Sequence, residues 1–147
     1  MVCTFFGHRM IPLEIEPSLR STLVDLIRNY DVNYFYVGNY GQFDSLVLRL
    51  LQDLSLSFSI EYQVVFAYMS KISALSDTID DAHTLLPEGI ETVPKRFAIF
   101  YCNQWMIEHS DFVVTYVDHN SGSSAARFKQ MAENKGKNVI DLYSNFL

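Results

Sequence analysis

The chain has 147 residues, 49% hydrophobic and 14% aromatic, with a formal net charge of −6. That length and apolar content suit one domain with a full core and exclude a disordered chain. The acidic balance argues against duplex nucleic acid as a partner, because such affinity comes largely from Lys and Arg neutralising phosphates. A small anionic ligand stays open, since one local arginine outweighs a distant acidic surface.

Cys3 and Cys102 offer neither metal-ligand spacing nor a disulfide framework. The opening MVCTFFGHRM lacks a basic region ahead of a long apolar one, so no signal peptide is expected. No run of about eighteen apolar residues occurs, so no membrane span is expected. The expectation is a cytoplasmic protein with reduced thiols.

In chain order, residues 2–6 (VCTFF) read as a short strand cut off by Gly7-His8-Arg9. A helix is predicted over roughly 18–30, with Leu19, Leu23, Leu26, Ile27 and Tyr30 on one face and Pro17 in its first turn. Residues 34–37 (YFYV) form a second strand that ends in Gly38-Asn39-Tyr40-Gly41. From Phe43 the apolar positions 43, 46, 47, 50, 51 and 54 mark a helix with one buried face. A strand feeding a helix through a glycine turn leaves backbone N–H groups free at the helix start, where anions and ligand hydroxyls bind.

Residues 61–67 (EYQVVFA) are the third strand. The stretch 68–94 shows no clear periodicity and carries Asp77, Asp80, Asp81 and Pro87-Glu88-Gly89; short helical turns within it cannot be placed. Loops longer than about 12–15 residues are usually functional or mobile. Residues 95–110 read as a helix apolar on more than one side, which predicts a helix wedged between the sheet and either the long loop or a second subunit. Residues 112–117 (FVVTYV) suit a central strand covered on both faces. A polar loop through Ser124 leads to a last helix over about 124–135, a stop at Gly136, and a closing strand at 139–142.

Strands alternating with helices predict an α/β fold: a three-layer, Rossmann-like, doubly wound parallel sheet of about five strands in the order 3-2-1-4-5. The reversal between strands one and four opens a crevice at their carboxyl ends. Three loops should line it: 7–9, 38–44 and 118–124.

FFGHR after the first strand, FYVGNYGQFD after the second, LPEGIE in the long loop, RFAIFYCNQWMIEHSD into the fourth strand, and TYV before a small-residue loop together resemble the SLOG superfamily. This Rossmann-like group links DprA-type and Lonely Guy proteins, and the chain looks most similar to its small YpsA-like branch. The resemblance implies binding of a nucleotide or nucleotide-derived ligand, and a homo-oligomer, dimer or higher. Lonely Guy enzymes cleave the N-glycosidic bond of nucleoside monophosphates and carry PGGxGTxxE after the fourth strand. Here that region reads HNSGSSAARF, with Gly122 at the first glycine, Ser123 at the second and no glutamate at the later spacing. Cys102-Asn103 stands where close relatives carry an Arg-Asn pair.

Each candidate has a plain structural alternative. Gly38 and Gly41, flanking Asn39 and Tyr40, let backbone approach a phosphate or simply make a tight turn. Asp44 accepts from a ribose hydroxyl or merely places an acidic charge in a first helical turn. Arg9 is the best phosphate fork on the crevice, against a surface ion pair. His8, beside Gly7, more often makes a structural hydrogen bond. Asn120, Ser121, Gly122, Ser123 and Ser124 form an anion nest or an ordinary serine cap. Arg96 is read as a ligand contact. Glu88 is a ligand contact, a catalytic acid or base, or a salt-bridge partner of Lys95 or Arg96. Glu108 is the second catalytic candidate, and Trp105 is read as core or interface. His83, His109 and His119 have no zinc spacing, so no metal and no cofactor is expected.

The favoured reading is therefore a sensor or sequestering module for a nucleotide-like small molecule. The alternatives are a phosphoribohydrolase and a non-catalytic oligomeric scaffold.

Overall fold

Phe112–Tyr116 is buried along its whole length, which places it at the middle of the sheet. The computed structural model describes residues 1–68, 81–118 and 123–143. In chain order the strands are β1 (Val2–Gly7), β2 (Tyr34–Val37), β3 (Glu61–Val65), β4 (Thr84–Leu85), β5 (Phe112–Tyr116) and β6 (Asn138–Asp141). The helices are α1 (Glu16–Asn29), α2 (Gly41–Leu54), α3 (Ala98–Glu108) and α4 (Ser124–Asn134). All strand pairs are parallel, in the order β4-β3-β2-β1-β5-β6.

The fold is thus the parallel α/β class expected, and the five strands foreseen keep their expected order. The addition is β4, a two-residue edge strand inside the stretch that showed no periodicity. It pairs Val64 with Thr84 and Val65 with Leu85. Two residues cannot display an alternating pattern, so nothing local announced it. Short 3-10 turns at Asp81–His83 and Ile90–Thr92 lie in the same stretch.

Alternation along the strands divides the core into two layers. Phe5, Val64 and Val114 pack with Leu19, Leu23 and Leu26 of α1 and with Phe43, Leu46, Val47, Leu50, Leu51 and Leu54 of α2. Phe6, Val65 and Val113 face the other way, onto Ala98, Cys102, Met106 and Ile107 of α3 and Phe128 and Ala132 of α4. Helices therefore cover both faces, the three-layer arrangement.

The broad apolar surface of α3 is mostly spent within the chain. Phe100, Tyr101 and Trp105 pack against the second core layer. Trp105 stacks on His109 and meets Tyr36 edge-on, with ring centroids 4.1 and 5.0 Å apart. Only Phe97 and Ile99, at the helix start, are large apolar side chains left exposed there. No described helix is long and apolar enough to cross a membrane.

Candidate functional site

The carboxyl ends of β1 and β2 are locked together before any ligand is considered. Gly41 has φ +91°, a left-handed conformation that suits glycine. A Cβ there would lie 2.6 Å from the Arg9 Cα, so only glycine lets the two loops cross this closely. The Gln42 N–H then donates to the Arg9 carbonyl at 2.8 Å, and the Ile11 N–H donates to Gln42 Oε1 at 2.9 Å. A Cβ on Gly7 would overlap the Phe43 ring, and one on Gly38 would sit 2.8 Å from Asp44 Oδ2. The glycines read as phosphate-approach positions thus make room for the protein's own Phe43, Asp44 and Arg9.

These loops, with α3 and the start of α4, enclose a cavity of about 120 Å³. Its floor is Phe5, Phe6 and Gly7 at the end of β1. One wall carries Arg9, Gly38, Tyr40 and Asp44; α3 contributes Ile99, Asn103 and Met106, and α4 contributes Ser124, Ala125 and Phe128. The cavity lies where the sheet reverses between β1 and β5, the position the topology favours for a ligand. First-turn amides of α4, which have no intrahelical acceptors, point towards this end of the sheet.

Asp44 is the one carboxyl-bearing side chain among the described residues that line the cavity. Its Oδ2 accepts the Tyr40 N–H at 2.9 Å, reaching back one turn to satisfy the start of α2. No described cation pairs with it. Burial pushes its pKa up to about 7, and the Tyr40 amide pulls back only part of that rise. Tyr40 is also shifted up, first by burial and then by nearby Tyr68, Cys102 and Asp44. Arg9 is exposed, and its guanidinium has no ion pair among the described residues.

Of the residues picked from the sequence, Gly7, Arg9, Gly38, Tyr40, Asp44 and Ser124 line this cavity. Gly41 lines an adjoining apolar groove together with Arg9, Ile11, Leu13 and Leu46. His8 takes the structural alternative: its Nε2 accepts the Asp118 N–H at 2.7 Å, tying the end of β1 to the end of β5. Asn39 does not line the cavity, and both polar atoms of its carboxamide are buried with no partner among the described residues. Ser123 precedes α4 in extended conformation, yet its hydroxyl makes no cap bond. Asn120, Ser121, Gly122 and His119 lie outside the described residues, as do Asp77 and Asp80.

Three assignments are displaced. Glu88 lines a separate depression with Pro87, Gly89 and Glu91, and its carbonyl accepts the Tyr101 hydroxyl at 2.8 Å. It makes no salt bridge to Lys95 or Arg96; Lys95 sits over the Tyr68 ring instead. The Arg96 guanidinium lies 4.8 Å from the Phe97 ring centroid, away from the cavity lining. Glu108 pairs with Lys135 Nζ at 3.2 Å, just beyond the far end of α4. Ser124 marks the cavity end of that helix, so Glu108 stands roughly 16 Å along it, at 1.5 Å per residue. Neither glutamate is placed to act on a ligand in the cavity.

The α3 contribution was missed. Ile99, Asn103 and Met106 have i, i+4, i+7 spacing, a second stripe beside the buried one of Ala98, Cys102 and Met106. A polar residue interrupting such a stripe was the available signal. Cys102 is spent on packing, its thiol 3.5 Å from the Phe66 carbonyl and its pKa pushed up to about 11 by burial. Among the described residues no cluster of three or more His, Cys, Asp or Glu is arranged for a metal ion.

Fold and site together define a class: a Rossmann-like parallel α/β protein with a partly polar cavity at the carboxyl ends of its strands. Compared with known proteins, the chain matches no family model and no curated protein sequence.

Proposed function

We propose that this chain is a binding module for a nucleotide or nucleotide-derived ligand, a sensor or sequestering domain of the kind found in the SLOG superfamily. The observation that carries this reading is an arginine on the switch-point cavity with no ion pair among the described residues. Arg9 and Ser124, at the α4 start, both line that cavity, so a phosphate there would meet both a guanidinium fork and helix N–H groups. About 120 Å³ suits a phosphate with part of a sugar. The base would extend outward past Gly38 and Tyr40.

The hydrolase alternative needs a carboxyl group at the glycosidic bond. Glycosidases use two such groups, and among the described residues the cavity lining holds one, Asp44, with Glu88 and Glu108 outside it, so the binding reading is favoured. Oligomer formation belongs to the same proposal, with exposed Phe97 and Ile99 as the apolar surface available on α3.

The test is thermal denaturation of the protein with a panel of nucleoside mono- and diphosphates, with chromatography of the same mixtures. Stabilisation without release of free base is the expected result. Arg9→Ala should remove that stabilisation while leaving the ligand-free stability within about 0.5 kcal/mol of wild type, as for an exposed side chain. Free base in the mixtures would replace the binding reading with the hydrolase, and no stabilisation by any nucleotide would leave the scaffold reading.

A further inference from the structure

We propose that Asp44 meets the ligand as a neutral acid, donating a hydrogen bond to an anionic oxygen while Arg9 supplies the positive charge, so that binding takes up a proton. This rests on the proposed binding role of the cavity and specifies its chemistry: the ligand carries an oxyanion, and the site reads it with one charged and one neutral donor.

The geometry sets the protonation state. Among the described residues Asp44 has a single hydrogen bond, from the Tyr40 amide to Oδ2, and no cation beside it. The absent side chain of Gly38 is what allows the carboxyl group to sit this close to β2. Phe5, Phe6, Met106 and Phe128 supply the apolar part of the lining, and burial among such groups penalises a carboxylate. Oδ2 is committed to Tyr40, so Oδ1 is the oxygen left to carry the proton. An anion held by Arg9 adds negative charge to the same small volume. That strengthens the preference for the acid form and turns Asp44 into a donor.

The other groups around it do not supply this behaviour. Tyr40 on its own loop has its phenol pushed up by burial, and the Cys102 thiol on α3 is pushed up to about 11. Arg9 follows β1, and Tyr68 follows β3 near Tyr40. From α4 the lining residues are Ser124, Ala125 and Phe128, which do not ionise. His8 is outside the lining, with its Nε2 taken by the Asp118 amide. Among the described residues lining the cavity, Asp44 is therefore the carboxyl that burial pushes up towards neutral pH.

Inorganic sulfate is the probe, because it is small enough for the cavity and its charge is constant from pH 5.5 to 9. Calorimetry in buffers of different ionisation enthalpy measures protons taken up per sulfate bound. Wild type should take up close to one proton at pH 8 and almost none at pH 5.5. Its affinity should fall about tenfold per pH unit above pH 7.5. Asp44→Asn keeps an oxygen for the Tyr40 amide and should bind with no Asp44-linked proton uptake at either pH. Binding with the same proton uptake in both proteins would overturn the role of Asp44 and leave the anion site standing. No binding of sulfate or of adenosine monophosphate at any pH would overturn both. Should Asp44→Asn fail to fold, carboxyl-carbon NMR titration of wild type decides: sulfate must raise the Asp44 midpoint, and a lowered or unmoved midpoint overturns the proposal.

Discussion

Asp44 and Asp141 both sit at the carboxyl edge of the same sheet, one beside β2 and one at the end of β6, and their surroundings drive them in opposite directions. Asp141 is buried, which by itself pushes its pKa up. A 2.9 Å ion pair with Lys129 and hydrogen bonds from the Val117 and Tyr143 amides outweigh that and hold it below the usual carboxylate range. Thr115 Oγ1 also donates to it, at 3.1 Å. Among the described residues Asp44 has one amide and no cation, so burial wins. Depth does not set the charge of an interior carboxyl; the number and kind of its partners do. Asp141 is a structural clasp between α4, β5 and β6, whereas Asp44 keeps an oxygen in reserve at the cavity.

The largest test of that contrast is Lys129→Met. Lys129 and Asp141 have side chains only 10% and 8% exposed, so the change strands a buried carboxylate. Urea denaturation at pH 7 should show a loss of about 3–5 kcal/mol. Adding Asp141→Asn to the same variant should restore much of it, since the cost lies in the stranded charge. A loss below about 1 kcal/mol would mean the clasp is as solvent-screened as a surface pair.

A smaller effect with opposite sign separates the two carboxyls by pH. For Asp44, the folded value near 7 lies above the unfolded value near 3.8. Its contribution to stability is therefore complete below about pH 4 and is lost as pH rises through about 7. Asp141, held low, contributes above the unfolded range and loses that contribution as pH falls through its folded value. Denaturation of wild type and Asp44→Asn at pH 4.5, 6 and 8 should show the variant gaining on wild type as pH rises. The gain should be about 1–2 kcal/mol over the window, below the ideal of roughly 1.4 kcal/mol per unit because the cavity admits some water. A difference that stays constant with pH would place a charged Asp44 in the cavity.

The smallest effect marks the surface limit. Arg20 and Asp53 approach to 2.6 Å, yet their side chains are 41% and 54% exposed. Asp53→Ala should cost less than about 0.5 kcal/mol and lose even that in high salt.

Much of the architecture was legible because it is written in neighbouring residues. The stripe at 43, 46, 47, 50, 51 and 54 became the buried face of α2, and the apolar run at 112–116 became a fully buried β5. From the helix–strand alternation came the parallel sheet, and from the sheet came the location of the crevice. Asp44 and Arg9 were picked from their loops and both line the cavity. Glu88 and Glu108 were picked for their chemistry alone, and distance removed them. Asn103 carried a signal, a polar residue interrupting an apolar stripe, but helical spacing alone does not say which loops that stripe meets.

Periodicity and turn-forming residues act over a few positions, so the amino-acid sequence by itself determined five of the six described strands, the four long helices, the parallel sheet and the rim where a ligand would lie. Tertiary structure alone decided which carboxyl is held below its ordinary pKa and which is pushed above it. Charge in an interior depends on partners that arrive from remote parts of the chain: Lys129 reaches Asp141 across α4 and β6, while among the described residues no such cation comes to Asp44.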